Sequence, residues 1–152
     1  MIRGVALADA RTIVVPVDGS PASLEAVGLA CRLARQRKGN VYAIYVIEVD
    51  RTLPLDAELV DETRQGESVL RSAQEIAKKA DYLVMGEILQ AREAAQAITS
   101  EAIERRADAV ILGLGYERPF GEFQLQRTAQ QVLRHAPCQV WICRQAPEEM
   151  PE

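Results

Sequence analysis

The chain has 152 residues, enough for one ordinary domain and too few for two. Hydrophobic residues make up 48% and charged residues 26%, the balance of a globular chain rather than a disordered one. Eighteen Lys and Arg against 22 Asp and Glu leave a net charge of −4, which argues against a nucleic-acid binder that works by neutralising phosphates. No apolar run approaches the roughly 20 residues that cross a bilayer.

Residues 1–10 are expected to be a loose end. They hold no uninterrupted apolar stretch before a cleavage site, so no signal peptide is read and a cytoplasmic location is expected. The first strand is expected at Thr12–Val17 (TIVVPV), a β-branched run bounded by turn residues. A helix then opens at Pro21, where a missing N–H costs nothing, with Ser20 as its cap. Leu24, Val27, Cys31 and Ala34 share one face of it, and Gly39 is expected to end it in a left-handed turn. Val41–Ile47 (VYAIYVI) reads as the second strand, and Glu48–Asp61 as a long, acidic loop. The second helix is expected from Glu67 to Ala80, because Gly66 weakens the turn before it. Tyr82–Gly86 (YLVMG) reads as the third strand and Arg92–Arg106 as the third helix, with Ala94, Ala95, Ile98 and Ala102 inward. Ala109–Gly113 (AVILG) is the expected fourth strand. Gln124–His135 is the expected fourth helix, presenting Leu125, Ala129, Val132 and Leu133 before Pro137 stops it. Gln139–Cys143 (QVWIC) alternates more than the other runs, as an edge strand does. The domain is therefore expected to span residues 11–144, followed by a Pro/Glu-rich tail, residues 145–152, expected to be disordered.

Strand and helix alternate five and four times. That is the pattern of an α/β fold, an open, doubly wound sheet with right-handed crossovers, and five strands are too few for a closed α/β barrel. Ligands of such sheets bind beyond the carboxyl ends of the strands. Two of these ends are rich in special residues: Pro16-Val17-Asp18-Gly19-Ser20-Pro21 after the first strand, and the run from Gly113 through Gly115 to Gly121 after the fourth. Glycine permits close backbone approach, and the helix that follows offers unpaired N–H groups to an anion. Strand-to-helix turns need Gly, Pro and a cap whatever they bind, so composition leaves both readings open. Neither loop is a P-loop, since no Gly-Lys-Ser/Thr follows, and Arg118 stands where a dinucleotide fingerprint needs its third glycine.

Three cysteines, Cys31, Cys138 and Cys143, with one histidine, His135, give no zinc spacing and no disulfide framework. On one strand, Cys138 and Cys143 would point to opposite faces. His135 falls in the last turn of a helix with no nucleophile in a catalytic context beside it. A phospho-acceptor receiver domain would need Asp at the end of the third strand, where Gly86-Glu87 is expected.

The segments IVVPVDGSPASLEAV, YAIYVIEVD, ADAVILG and VLRHAPCQVWICR resemble the universal stress protein family, from about Thr12 to Arg144. The resemblance implies a five-stranded parallel sheet in the order 3-2-1-4-5 with four helices, similar to adenine-nucleotide hydrolases. It also implies a cytoplasmic stress-response protein, usually a homodimer and often an adenine-nucleotide binder. Nucleotide-binding members carry Gly-x2-Gly-x9-Gly-Ser/Thr after the fourth strand. Here the four positions are Gly113, Tyr116, Gln126 and Arg127, so three depart, with Gly115, Gly121 and Thr128 as neighbours of the motif. Glutamine is expected to obstruct phosphate, Tyr116 to fill or cover the pocket, and Arg127 to offer a bidentate cation.

The candidate nucleotide-binding residues are Pro16, Val17, Asp18, Val46, Gly113, Gly115, Arg127 and Thr128. Of these, the resemblance sets Asp18 near phosphates or metal and the Val46 backbone near adenine. The expected function is binding rather than catalysis, at an altered adenine-nucleotide site. The other reading is an ATP or AMP binder, with Mg2+ if ATP, that hydrolyses ATP slowly. A nucleotidyl-transferase-like enzyme would carry His-x-Gly-His or Ser-Gly-Gly, which this chain lacks. Val140, Trp141 and Ile142 form the candidate dimer interface, an apolar edge that invites pairing.

Overall fold

The computed structural model describes residues 9–148. Its elements follow in the order β1 (Thr12–Pro16), α1 (Pro21–Arg37), β2 (Asn40–Glu48), α2 (Val60–Lys79), β3 (Met85–Ala91), α3 (Ala94–Glu104), β4 (Ala109–Leu114), α4 (Arg127–His135) and β5 (Gln139–Arg144). All five strands are parallel, in the order β3-β2-β1-β4-β5. Of the two tails, residues 1–8 and 149–152 lie outside the described residues. Within the described part, Ala10 is fully buried and the Gln145 N–H donates to the Leu114 carbonyl at 2.7 Å.

The pleat divides the core in two. Ile13, Val15, Val41, Ala43, Ala109 and Ile111 face α1 and α2, whereas Val14, Ile44, Val110, Leu112 and Leu114 face α3 and α4. Strands covered on both faces are continuously apolar, which is why β1 and β4 stand out in the sequence. Cys143 packs with the first layer and Cys138 with the second, on opposite sides of the sheet as expected.

Several boundaries differ from expectation, each for a physical reason. Helix α1 is capped at Ser20, whose side chain accepts the Ser23 N–H at 3.2 Å, but its left-handed residue is Lys38 (φ 54°), not Gly39. Gly39 serves a different need: a Cβ there would lie 1.9 Å from the Arg11 carbonyl oxygen. Helix α2 begins at Val60, a full turn and more before the expected start, and runs through a buried Gly66. The Tyr45 ring lies 2.7 Å from where a Gly66 Cβ would sit, so the glycine is a packing residue that its helix tolerates.

Strand β3 is Met85–Ala91 rather than Tyr82–Gly86. Its register on β2 runs from Tyr42 opposite Met85 to Glu48 opposite Ala91, and Leu83, expected inside the strand, is 84% exposed. The strand therefore ends at Gln90-Ala91, and still without Asp at a receiver position. Helix α4 starts at Arg127, which leaves Leu125 in the preceding loop, and Leu133 is exposed rather than inward. Helix α3 keeps Ile98 and Ala102 buried as expected. Among the described residues no helix is long and apolar enough to cross a membrane.

Candidate functional site

The chain winds from β1 to β2 and β3 on one side and resumes on the other side with β4 and β5. Between β1 and β4 the order reverses, the point at which open α/β sheets bind ligands. A cleft of about 490 Å³ opens there, beyond the carboxyl ends of β1, β2 and β4 on the α3/α4 side. That size lies within the roughly 300–1,000 Å³ of small-molecule sites. Its floor is apolar, built from Ile44, Ile98, Leu112 and Ala129, and residues from the first turns of α1, α3 and α4 border it.

Seven of the eight expected site residues line this one cleft: Pro16, Val17, Asp18, Val46, Gly113, Gly115 and Thr128. Arg127, the first residue of α4, does not; the residue before it, Gln126, does. Helix α4 has no side-chain cap, so the N–H groups of its first turn remain available at the cleft. Gly113 has a role the motif does not express. A Cβ there would lie 1.9 Å from the Ala22 carbonyl oxygen, so its glycine lets β4 pass against the start of α1. Gly115 has no such neighbour; the nearest atoms to its virtual Cβ are Glu117 Oε1 at 3.7 Å and Gln145 Oε1 at 3.9 Å.

Tyr116 is not in the cleft, which corrects the expectation that it fills or covers the pocket. Its ring stacks on Phe123, with centroids 5.6 Å apart and planes 21° apart. The Arg144 guanidinium lies 4.7 Å from the Tyr116 centroid and 5.3 Å from that of Phe123, and Arg118 lies 5.5 Å from Tyr116. The ring is held outside by stacking and cation–π contacts. The Gln124 N–H, donating to the Glu117 carbonyl at 3.0 Å, closes the loop that carries it.

At the other wall, Asp18 Oδ1 accepts the Ser20 N–H at 2.9 Å, an Asx turn that leads into α1. Burial pushes the Asp18 carboxyl up, but hydrogen bonds from Ser20 and Ser23 outweigh it and hold the group below the ordinary Asp value. The loop after β2 is tied to the end of β3. Arg92 donates to the Asp50 and Leu53 carbonyls at 2.6 and 2.9 Å, and Gln90 to the Leu55 carbonyl at 2.8 Å.

The sequence reading passed over Glu48, Glu117 and Gln145 as lining residues. Glu48 had a legible signal, since it lies two residues after Val46 on one strand and so shares its face. Glu117 and Gln145 had none, because their positions depend on how the loop after β4 folds back. Asp18, Glu48 and Glu117 are three carboxylates with no Lys, Arg or His among the lining residues. Among the described residues no three potential ligands converge to hold a metal ion.

The profile of the universal stress protein family matches residues 10–144. A universal stress protein of Methanocaldococcus jannaschii, MJ0531, is 29% identical over 145 residues, covering 91% of this chain and 85% of that protein. Among solved structures, a universal stress protein from Archaeoglobus fulgidus superposes with a TM-score of 0.74 at 23% identity, over 86% of this chain and 96% of the other. A universal stress protein from Archaeoglobus fulgidus in complex with dAMP gives 0.69 at 22% identity, over 86% and 95%. The superpositions agree with the observed strand order and helix placement. With the profile spanning the sheet from before β1 to the end of β5, the chain belongs to the universal stress protein family.

Proposed function

We propose that this protein acts by binding an adenine nucleoside or nucleotide in the cleft between β1 and β4, without turnover. The observation that carries the reading is that Pro16, Val17, Val46 and Gly113, from three different strand ends, line one cleft of suitable size. The dAMP complex of a relative with the same fold supports adenine as the base. Val46 sits near the end of β2, where its backbone would read the base edge, and Asp18 and Thr128 flank the sugar and phosphate side. Gln126 stands at the start of α4, so the phosphate end departs from the nucleotide-binding motif. No nucleophile, metal cluster or acid–base pair is needed for such a role.

A second reading, ATP binding with slow hydrolysis, rests on Asp18 and Thr128 both lining the cleft, where they would meet a Mg2+–phosphate group. Heat-denaturing the purified protein and resolving the supernatant by ion exchange tests the first reading. AMP or adenosine released in near-stoichiometric amount supports it, and loss of ATP to ADP on incubation supports the second. The same reading includes a cytoplasmic stress-response role and a homodimer through β5. Trp141, on the α1 side of that edge strand, is 42% exposed, and Val140 and Ile142, on the other face, are half-buried. Light scattering that returns a monomer mass at tens of micromolar, roughly the range for a modest interface, excludes the dimer.

A further inference from the structure

We infer that the cleft discriminates by charge, accepting a nucleoside or its monophosphate and rejecting polyphosphates, with Glu117 as the specificity-determining residue. The inference rests on the adenine-binding reading and specifies its ligand class. Three helix N-termini border the cleft, each worth about half a positive charge at best. Against them stand the carboxylates of Asp18, Glu48 and Glu117, three full negative charges. No cation is among the lining residues: Arg118 and Arg144 carry their charge over the Tyr116 and Phe123 rings, and Arg127 lies outside the lining.

The distribution of charge sets where the limit falls. The uncapped start of α4, with Thr128 and Ala129 on the cleft, is a place for one phosphate. A longer chain of phosphates passes from there toward the loop after β4. At that loop Glu117 Oε1 overhangs Gly115, 3.7 Å from where its Cβ would be, with Gln145 Oε1 beside it at 3.9 Å. Two oxygen acceptors therefore face the second and third phosphates, and no cationic side chain lines the cleft to compensate them. Among the described residues no three carboxyl, His or Cys groups converge into a site for a divalent cation.

The test is isothermal titration of adenosine, AMP and ATP in chelator at low salt, into wild type and Glu117→Gln. The expected result is AMP tighter than ATP by about tenfold or more, as one unscreened like charge at this range implies. Glu117→Gln narrows that gap by tightening ATP more than it alters AMP or adenosine. In wild type the gap also narrows as salt rises, because exposed charges are screened within about 10 Å at 0.1 M; this arm needs no variant. ATP binding as tightly as AMP, or a gap that neither Glu117→Gln nor salt alters, overturns the inference and leaves adenine binding intact. Failure of all three ligands to bind overturns the adenine reading itself.

Discussion

Replacing Gly113 by alanine separates packing from ligand contact in the motif glycine. A Cβ at this position would sit 1.9 Å from the Ala22 carbonyl oxygen and 2.5 Å from its carbon. Both are backbone atoms at the start of α1, so no side chain can swing aside. The helix start must retreat from β4 by roughly 1.5 Å to restore an ordinary contact. Overpacking typically costs about 1–3 kcal/mol, and a rigid backbone neighbour puts this site near 3 kcal/mol. For a domain of this size that lowers the melting temperature by about 6–12 °C. Gly115→Ala is the control, because its new Cβ meets nothing closer than 3.7 Å, and its expected cost is under about 0.5 kcal/mol. Urea denaturation of both variants reads the difference directly. If Gly113→Ala is as stable as Gly115→Ala, the close passage of β4 over α1 is wrong, and Gly113 serves the ligand instead.

Gln126→Gly removes the side chain at the open end of α4 and is expected to tighten AMP binding about three- to tenfold by titration calorimetry. Tyr116→Gly is expected to leave AMP affinity within about twofold, because the ring rests on Phe123 outside the cleft; the reverse ranking would refute the loop geometry. Asp18, held below the ordinary Asp value, lends stability above that value and loses it as pH falls through the folded-state pKa. Asp18→Asn should therefore cost under about 1 kcal/mol at pH 7 after solvent screening, and progressively less as pH falls through the folded-state pKa; a cost in urea melts that does not shrink in acid contradicts this. Burial pushes the Cys31 thiol up to about 11, and also raises Cys138 and Cys143. Disulfide-exchange labelling at pH 8 should leave Cys31 untouched in the native protein and reach it on denaturation. Prompt labelling of Cys31 without denaturant would refute its burial.

The parts of the fold that the sequence announced are those whose signals are local or doubly apolar. Ser20-Pro21 marks the start of α1 because cap and first-turn residue act within a few positions, and β1 and β4 show because both faces of each are covered. The third strand was displaced because Tyr82-Leu83-Val84 looks more strand-like than Met85–Ala91, which carries Glu87 and Gln90. An edge strand tolerates polar residues, and its register comes from β2 across the sheet, which no local pattern encodes. Gly39 and Gly66 were read as breaks, yet each is set by a distant neighbour, the Arg11 backbone and the Tyr45 ring. The same limit applies in the candidate site. Pro16, Val17, Asp18 and Gly113, singled out from two strand ends, and Val46, taken from the family resemblance, line one cleft. The loop after β4 carries its own tertiary structure, so the outward Tyr116 and the overhanging Glu117 had no signature in spacing.

Binding of an adenine nucleotide in the cleft between β1 and β4 leaves a signature in the backbone amides of the lining residues. Titrating AMP into isotopically labelled protein and following backbone amide resonances tests it most directly. Saturable shifts are expected at Val17, Val46, Gly113, Gly115 and Thr128, with the α1–α2 surface around Leu24, Gly28 and Ile76 unmoved. Shifts confined to that second surface, or none at millimolar AMP, a concentration that detects even affinities of roughly −4 kcal/mol, would contradict it.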